Sequence, residues 1–115
     1  MKKVYFSNKG KGNKYNSRRS TYNGYNYDSG LEAKYAETLD WMIKAKEIKK
    51  WERQHKISLD INGVHIANYF IDFKVFLLDG TVDYREVKGM ETDLWRLKWR
   101  MTQAIYPDYK LVLIK

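Results

Sequence analysis

Two apolar strands that meet at an Asp-Gly turn, with charges set inside them, limit what this chain can fold into more than anything else in its sequence. The first reads Tyr69-Phe70-Ile71-Asp72-Phe73-Lys74-Val75-Phe76-Leu77-Leu78, the second Thr81-Val82-Asp83-Tyr84-Arg85-Glu86-Val87-Lys88, and Asp79-Gly80 lies between them, a strong hairpin signal. An acid in the middle of an apolar strand is costly to bury without a partner. A three-residue loop, Leu78-Asp79-Gly80 with Gly80 left-handed, pairs Leu77 with Thr81 and so places Asp72 opposite Glu86. Side chains that face each other this way have Cβ atoms about 4.5–5.5 Å apart. Two carboxylates there repel unless a cation lies between them, and oxygen ligands at about 2.0–2.6 Å from Mg²⁺ or Ca²⁺ fit that gap. The strand period of two puts Lys88 on the side of Glu86 and Val87 on the other. A two-residue loop would instead set Asp72 against Val87 and dissolve the cluster. Glu-x-Lys on a solvated strand face would contribute little; with Asp72 on the partner strand and Gly89 ending the run, the residues favour a metal site.

Length and charge narrow the rest. The 115 residues suit one compact domain. Without cysteine there is no disulfide or zinc–thiolate site. No apolar run nears the roughly 20 residues that span a bilayer, so a soluble, cytoplasmic protein is expected. The net charge of +8 favours a polyanionic partner. Residues 1–30 hold Lys2, Lys3, Lys9, Lys11, Lys14, Arg18 and Arg19 against Asp28 alone, seven cations less one anion, so +6 of the +8 lies there.

The chain divides accordingly. Residues 1–28, rich in Asn, Gly, Lys and Tyr with little aliphatic content, read as a flexible basic arm. Lys9, Lys11, Lys14, Arg18 and Arg19 interleave with tyrosines there, a pattern that suits contact with phosphates and stacking on bases. Residues 29–115 read as the folded domain. A helix is expected from about Ser29 to Lys50 on a stripe of Leu31, Tyr35, Leu39, Met42 and Ile43. A strand over 51–59 turns at Asn62-Gly63 into the strand that leads to Asp72. A second helix, about Thr92 to Tyr106, is read with Leu94, Leu97, Met101, Ala104 and Ile105 inward and Arg96, Lys98 and Arg100 outward among Trp95 and Trp99. The apolar run 109–114 closes the order as a buried strand, parallel to its neighbour. The result is an α/β (α+β) fold of order α-β-β-β-α-β, a mixed sheet flanked by helices.

A helix with an acid, Asp72 on one strand, Glu86-Val87-Lys88 on the next, then a basic helix and a last strand resemble the PD-(D/E)XK nuclease superfamily over residues 24–115. Gly24 to Ala33, Asp72-Phe73, Glu86-Val87-Lys88-Gly89-Met90 and Leu97-Lys98 before Tyr106-Pro107 look like a small phage-encoded branch, related in layout to Holliday-junction resolvases. The resemblance implies a restriction-endonuclease-like core and Mg²⁺-dependent cleavage of DNA, with Mn²⁺ able to substitute. Asp72, Glu86 and the Val87 carbonyl would hold the cation, Lys88 would position the attacking water, and Glu32 would complete the catalytic set. Arg96, Lys98 and Arg100 would contact DNA, branched recombination or replication intermediates would be the substrate, and a homodimer would supply paired nicks. Ile71 stands where the superfamily motif has proline. Glu32 has a second reading, because Ser29-x-x-Glu32 is also a capping box. The alternative function is a non-catalytic DNA-binding module on the same fold.

Overall fold

The structure, a computed structural model, describes residues 20–27 and 29–115. A small hairpin of β1 (Ser20–Tyr22) and β2 (Tyr25–Tyr27) precedes α1 (Gly30–Lys44). Strands β3 (Ile48–Ile61), β4 (Val64–Leu77) and β5 (Val82–Val87) follow, then α2 (Asp93–Ile105) and β6 (Lys110–Ile114). The four-stranded sheet runs β3-β4-β5-β6. Its first two pairings are antiparallel and β5–β6 is parallel, which gives the expected mixed sheet with helices. None of the helices among the described residues is long and apolar enough to cross a membrane.

The central hairpin has the three-residue register. Phe73 pairs with Arg85 and Phe76 with Val82, the Leu77 amide donates to the Thr81 carbonyl, and Gly80 has φ +91°. On β5 the alternation sends Val87 into a cluster with Ala33, Ala36 and Leu39 of α1, while Tyr84 joins a cluster with Trp95 of α2. The two helices therefore cover opposite faces of the sheet. Along β4 the odd-numbered residues serve both clusters, Phe73 and Val75 the first, Tyr69 and Ile71 the second. The strand thus changes the side it presents at Asp72.

Local structure departs from the sequence expectations at four places. The helix α1 ends at Lys44 rather than Lys50, because Lys46 adopts φ +62°. The Glu47 amide then returns to the Met42 carbonyl (2.8 Å) and the Lys46 amide to Ile43 (3.0 Å), a left-handed helix stop normally made with glycine. The freed residues from Ile48 onward extend β3. Part of the arm is ordered: Asn23-Gly24, with φ +56° and +86°, turns β1 into β2. The Tyr22 hydroxyl (2.5 Å) and the Trp51 indole (2.9 Å) both donate to Asp40, which ties hairpin, helix and β3 together.

Both helices keep part of the expected stripe and depart from it at single positions. In α1, Tyr35, Leu39, Met42 and Ile43 pack on the core as expected, whereas Leu31 is exposed and Glu32, Ala33 and Ala36 are buried beside the stripe. In α2, Leu94 and Leu97 face solvent while Trp95 is buried and Trp99 packs against the same cluster. Burying indoles removes more apolar surface from water than burying leucines, and the Trp95 Nε1–H finds the Tyr69 hydroxyl at 3.0 Å. Thr92 caps this helix by accepting from the Trp95 amide (3.1 Å).

Substituting Lys46→Gly should stabilise the protein by about 1 kcal/mol, since glycine adopts the left-handed conformation without the penalty a side chain carries. A rise in the urea midpoint with an unchanged slope is the expected result.

Candidate functional site

The β4–β5 ladder stops at Phe73–Arg85, and from there side chains continue it. The Asp72 amide donates to Glu86 Oε1 (3.2 Å), and the Val87 amide donates to Asp72 Oδ2 (2.9 Å). Asp72 therefore points along the sheet toward β5, its carboxylate taking the place of a ladder carbonyl. Each acid accepts an N–H from the strand of the other, which offsets part of the cost of burying both. Val87, whose carbonyl the resemblance gives to the cation, is bound into the site through its amide.

Lys88 leaves β5 with its amide donating to the Ile114 carbonyl (2.9 Å). Its Nζ lies 3.9 Å from Glu86 Oε2 and 5.2 Å from the centre of the Trp95 ring, between a carboxylate and an aromatic face. The same indole donates to the Tyr69 hydroxyl at 3.0 Å. Burial, then the negative charge of Glu86, pushes the Tyr69 hydroxyl far above its ordinary pKa.

Glu32 approaches from the first turn of α1. Its backbone amide donates to Ser29 Oγ (3.0 Å), the capping half of the motif, while its carboxylate Oε2 accepts from Gln54 Nε2 of β3 (3.2 Å). The cap uses the main chain and the site uses the side chain. Gln54 Nε2 is also 3.5 Å from Asp72 Oδ1, so one amide group bridges the two acids. Gln54 has φ +51° inside a strand, which costs a residue with a Cβ about 1–2 kcal/mol.

Glu32, Asp72, Glu86 and Lys88 are 1%, 0%, 0% and 5% exposed. Their oxygens are the donors that a hard cation such as Mg²⁺ takes. Among the described residues no three Asp, Glu, His or Cys side chains are drawn together as a metal-holding group; the acids are held by N–H donors from Gln54, Asp72 and Val87. Gln54, Tyr69 and Trp95 were not assigned to the site from the sequence.

The basic residues fall in three groups. Lys9, Lys11, Lys14, Arg18 and Arg19 lie outside the described residues. Arg96 is paired with Glu91 (3.5 Å) and Asp93 (3.1 Å), and Lys98 donates to the Asn68 carbonyl (3.1 Å). Arg100 is exposed on α2.

The fold is that of an α+β domain whose mixed sheet buries Asp72 and Glu86 in reciprocal contact, with Lys88 beside Glu86 and Glu32 reached through Gln54. The chain belongs to the DUF1064 family, described as "Protein of unknown function (DUF1064)", which matches residues 12–115. Neither the curated proteins nor the solved structures gave a match.

Alkaline titration offers a test of this packing. Burial, then Tyr109, raises Tyr84 to about 12, and Tyr69 is raised further, from the ordinary 10.0. Above pH 10 the unfolded chain loses phenolic protons that the folded chain keeps, so stability is expected to fall as pH rises through 10 toward 12. Urea midpoints across that window should fall, with a shallower decline in Tyr69→Phe.

Proposed function

We propose that this protein is a Mg²⁺-dependent deoxyribonuclease of the PD-(D/E)XK kind that hydrolyses phosphodiesters in branched recombination or replication intermediates. The observation that supports it best is the reciprocal bonding of Asp72 and Glu86 at the point where their strands part, with the Lys88 ammonium 3.9 Å from Glu86. An acid pair of this kind with an ammonium beside it suits metal-assisted phosphodiester hydrolysis, where carboxylates hold the cation and a positive charge meets the growing phosphate charge. Glu32 brings a third carboxylate from the end of α1.

Asp72, Glu86, Glu32 and the Val87 carbonyl would hold the cation, which supplies Lewis acidity and a water acidified toward neutral pH. Lys88 gives a fixed positive charge where negative charge grows on the phosphate. Trp95 holds that ammonium in place. Arg100 and the arm lysines and arginines would draw the DNA backbone in by counterion release. Such an enzyme would act in the cytoplasm, that of the host if the protein is phage-encoded, and as a homodimer when it nicks two strands.

A second reading has its own observation. All four charged groups are at most 5% exposed, so a phosphate reaches them only if the cover moves. A DNA-binding module that keeps the acids as structural groups needs no such movement.

With Mg²⁺ or Mn²⁺, purified protein is expected to nick or resolve a panel of linear, flapped and four-way DNA substrates. Chelation or Asp72→Asn should remove that activity, and Lys88→Ala should lower the rate by roughly 10²–10³-fold. Binding to the panel without cleavage of any member would favour the module.

A further inference from the structure

Gln54 holds a left-handed conformation inside a strand, where the strand itself does not call for one. Among the described residues that carry a side chain and have positive φ, Asn23, Lys46 and Asn62 lie in turns, whereas Gln54 lies inside the 14-residue strand β3. The ladder pairs Arg53 with Phe73 and His55 with Ile71, which leaves Gln54 across from Asp72. Its Nε2 stands 3.2 Å from Glu32 Oε2 and 3.5 Å from Asp72 Oδ1. The two acids come from different elements, a helix and a strand, and one neutral amide group joins them.

An amide NH₂ has two N–H donors and carries only a partial positive charge. One such group can donate to two carboxylates at once, as Gln54 does here to Glu32 and Asp72. We infer that Gln54 is a neutral placeholder for the cation: its amide holds Glu32 and Asp72 together in the metal-free protein and gives way when a divalent ion binds between them. This inference rests on the metal-site reading above and adds to it a residue that sets the threshold for metal uptake. The left-handed backbone keeps the side chain aimed at the acids, so the placeholder stays beside the site after it yields. Lys88 performs the corresponding service for Glu86 with a full charge, and that charge has no need to leave.

Two substitutions separate this role from a purely structural one, because they move metal affinity in opposite directions. In Gln54→Ala the acids lose their bridge, so the metal-free protein should melt at a lower temperature. Mn²⁺ should then bind roughly tenfold tighter, the size of one hydrogen bond to a charged group. In Gln54→Lys an ammonium fills the cation's place, so the metal-free protein should keep its melting temperature and Mn²⁺ affinity should fall at least tenfold. Calorimetric titration of the full chain with Mn²⁺, alongside thermal melts without metal, reads both effects and needs no activity. Unchanged or weaker Mn²⁺ binding in Gln54→Ala would overturn the inference, as would undiminished binding in Gln54→Lys. The lysine variant decides alone if the alanine variant does not fold. Failure of the wild-type protein to take up Mn²⁺ would instead overturn the metal-site reading, and the inference with it.

Discussion

Two carboxylates buried in the sheet, each accepting a main-chain N–H from the other's strand, hold the rest of this structure in relation. Burying an ionised carboxylate costs several kcal/mol even after local relaxation. Asp72 and Glu86 offset that cost by sitting where the β4–β5 ladder ends, so that strand amides turn toward side-chain oxygens. The same break lets β4 change the side it presents between Ile71 and Phe73. One long strand can then line the cluster under α1 and the cluster under α2.

Around this pair the packing and the chemistry use the same side chains. Trp95 anchors α2 in the core, donates to Tyr69 and lies under the Lys88 ammonium. The negative charge of Glu86 in turn helps to keep the buried Tyr69 hydroxyl protonated. Substituting any of these three would change both stability and the electrostatics of the acids, which is the coupling expected where a site is built from core residues. On the other side of Asp72 the link to α1 runs through Gln54 and Glu32.

The family match gives kinship without an activity, so function has to be argued from the residues themselves. The proposal of a hard divalent ion and a phosphodiester therefore rests on donor type and charge alone. The burial of all four charged groups sets the condition that any catalytic cycle must meet: the cover over the acids has to open to admit a phosphate.

Apart from the β1–β2 hairpin, the sequence alone determined the element order, the three-residue register of the central hairpin and the proximity of Asp72, Glu86 and Lys88. These follow from short-range rules, strand alternation and turn chemistry, that act over a few residues. Which helix faces turn inward was settled by tertiary packing, because leucines and tryptophans both satisfy a helical period and only the room between α2 and the sheet selects Trp95 and Trp99. The left-handed stop at Lys46 has no sequence signal, since lysine stands where glycine is usual. Gln54 was hidden for a related reason. An unshifted ladder from the Asn62-Gly63 turn would set Arg53 opposite Asp72, but the register shifts by one between Leu59 and Asp60 and brings Gln54 there. A bulge of one residue exchanges the partner of every residue beyond it, and its place is set by the packing of the whole sheet rather than by the residues at the turn.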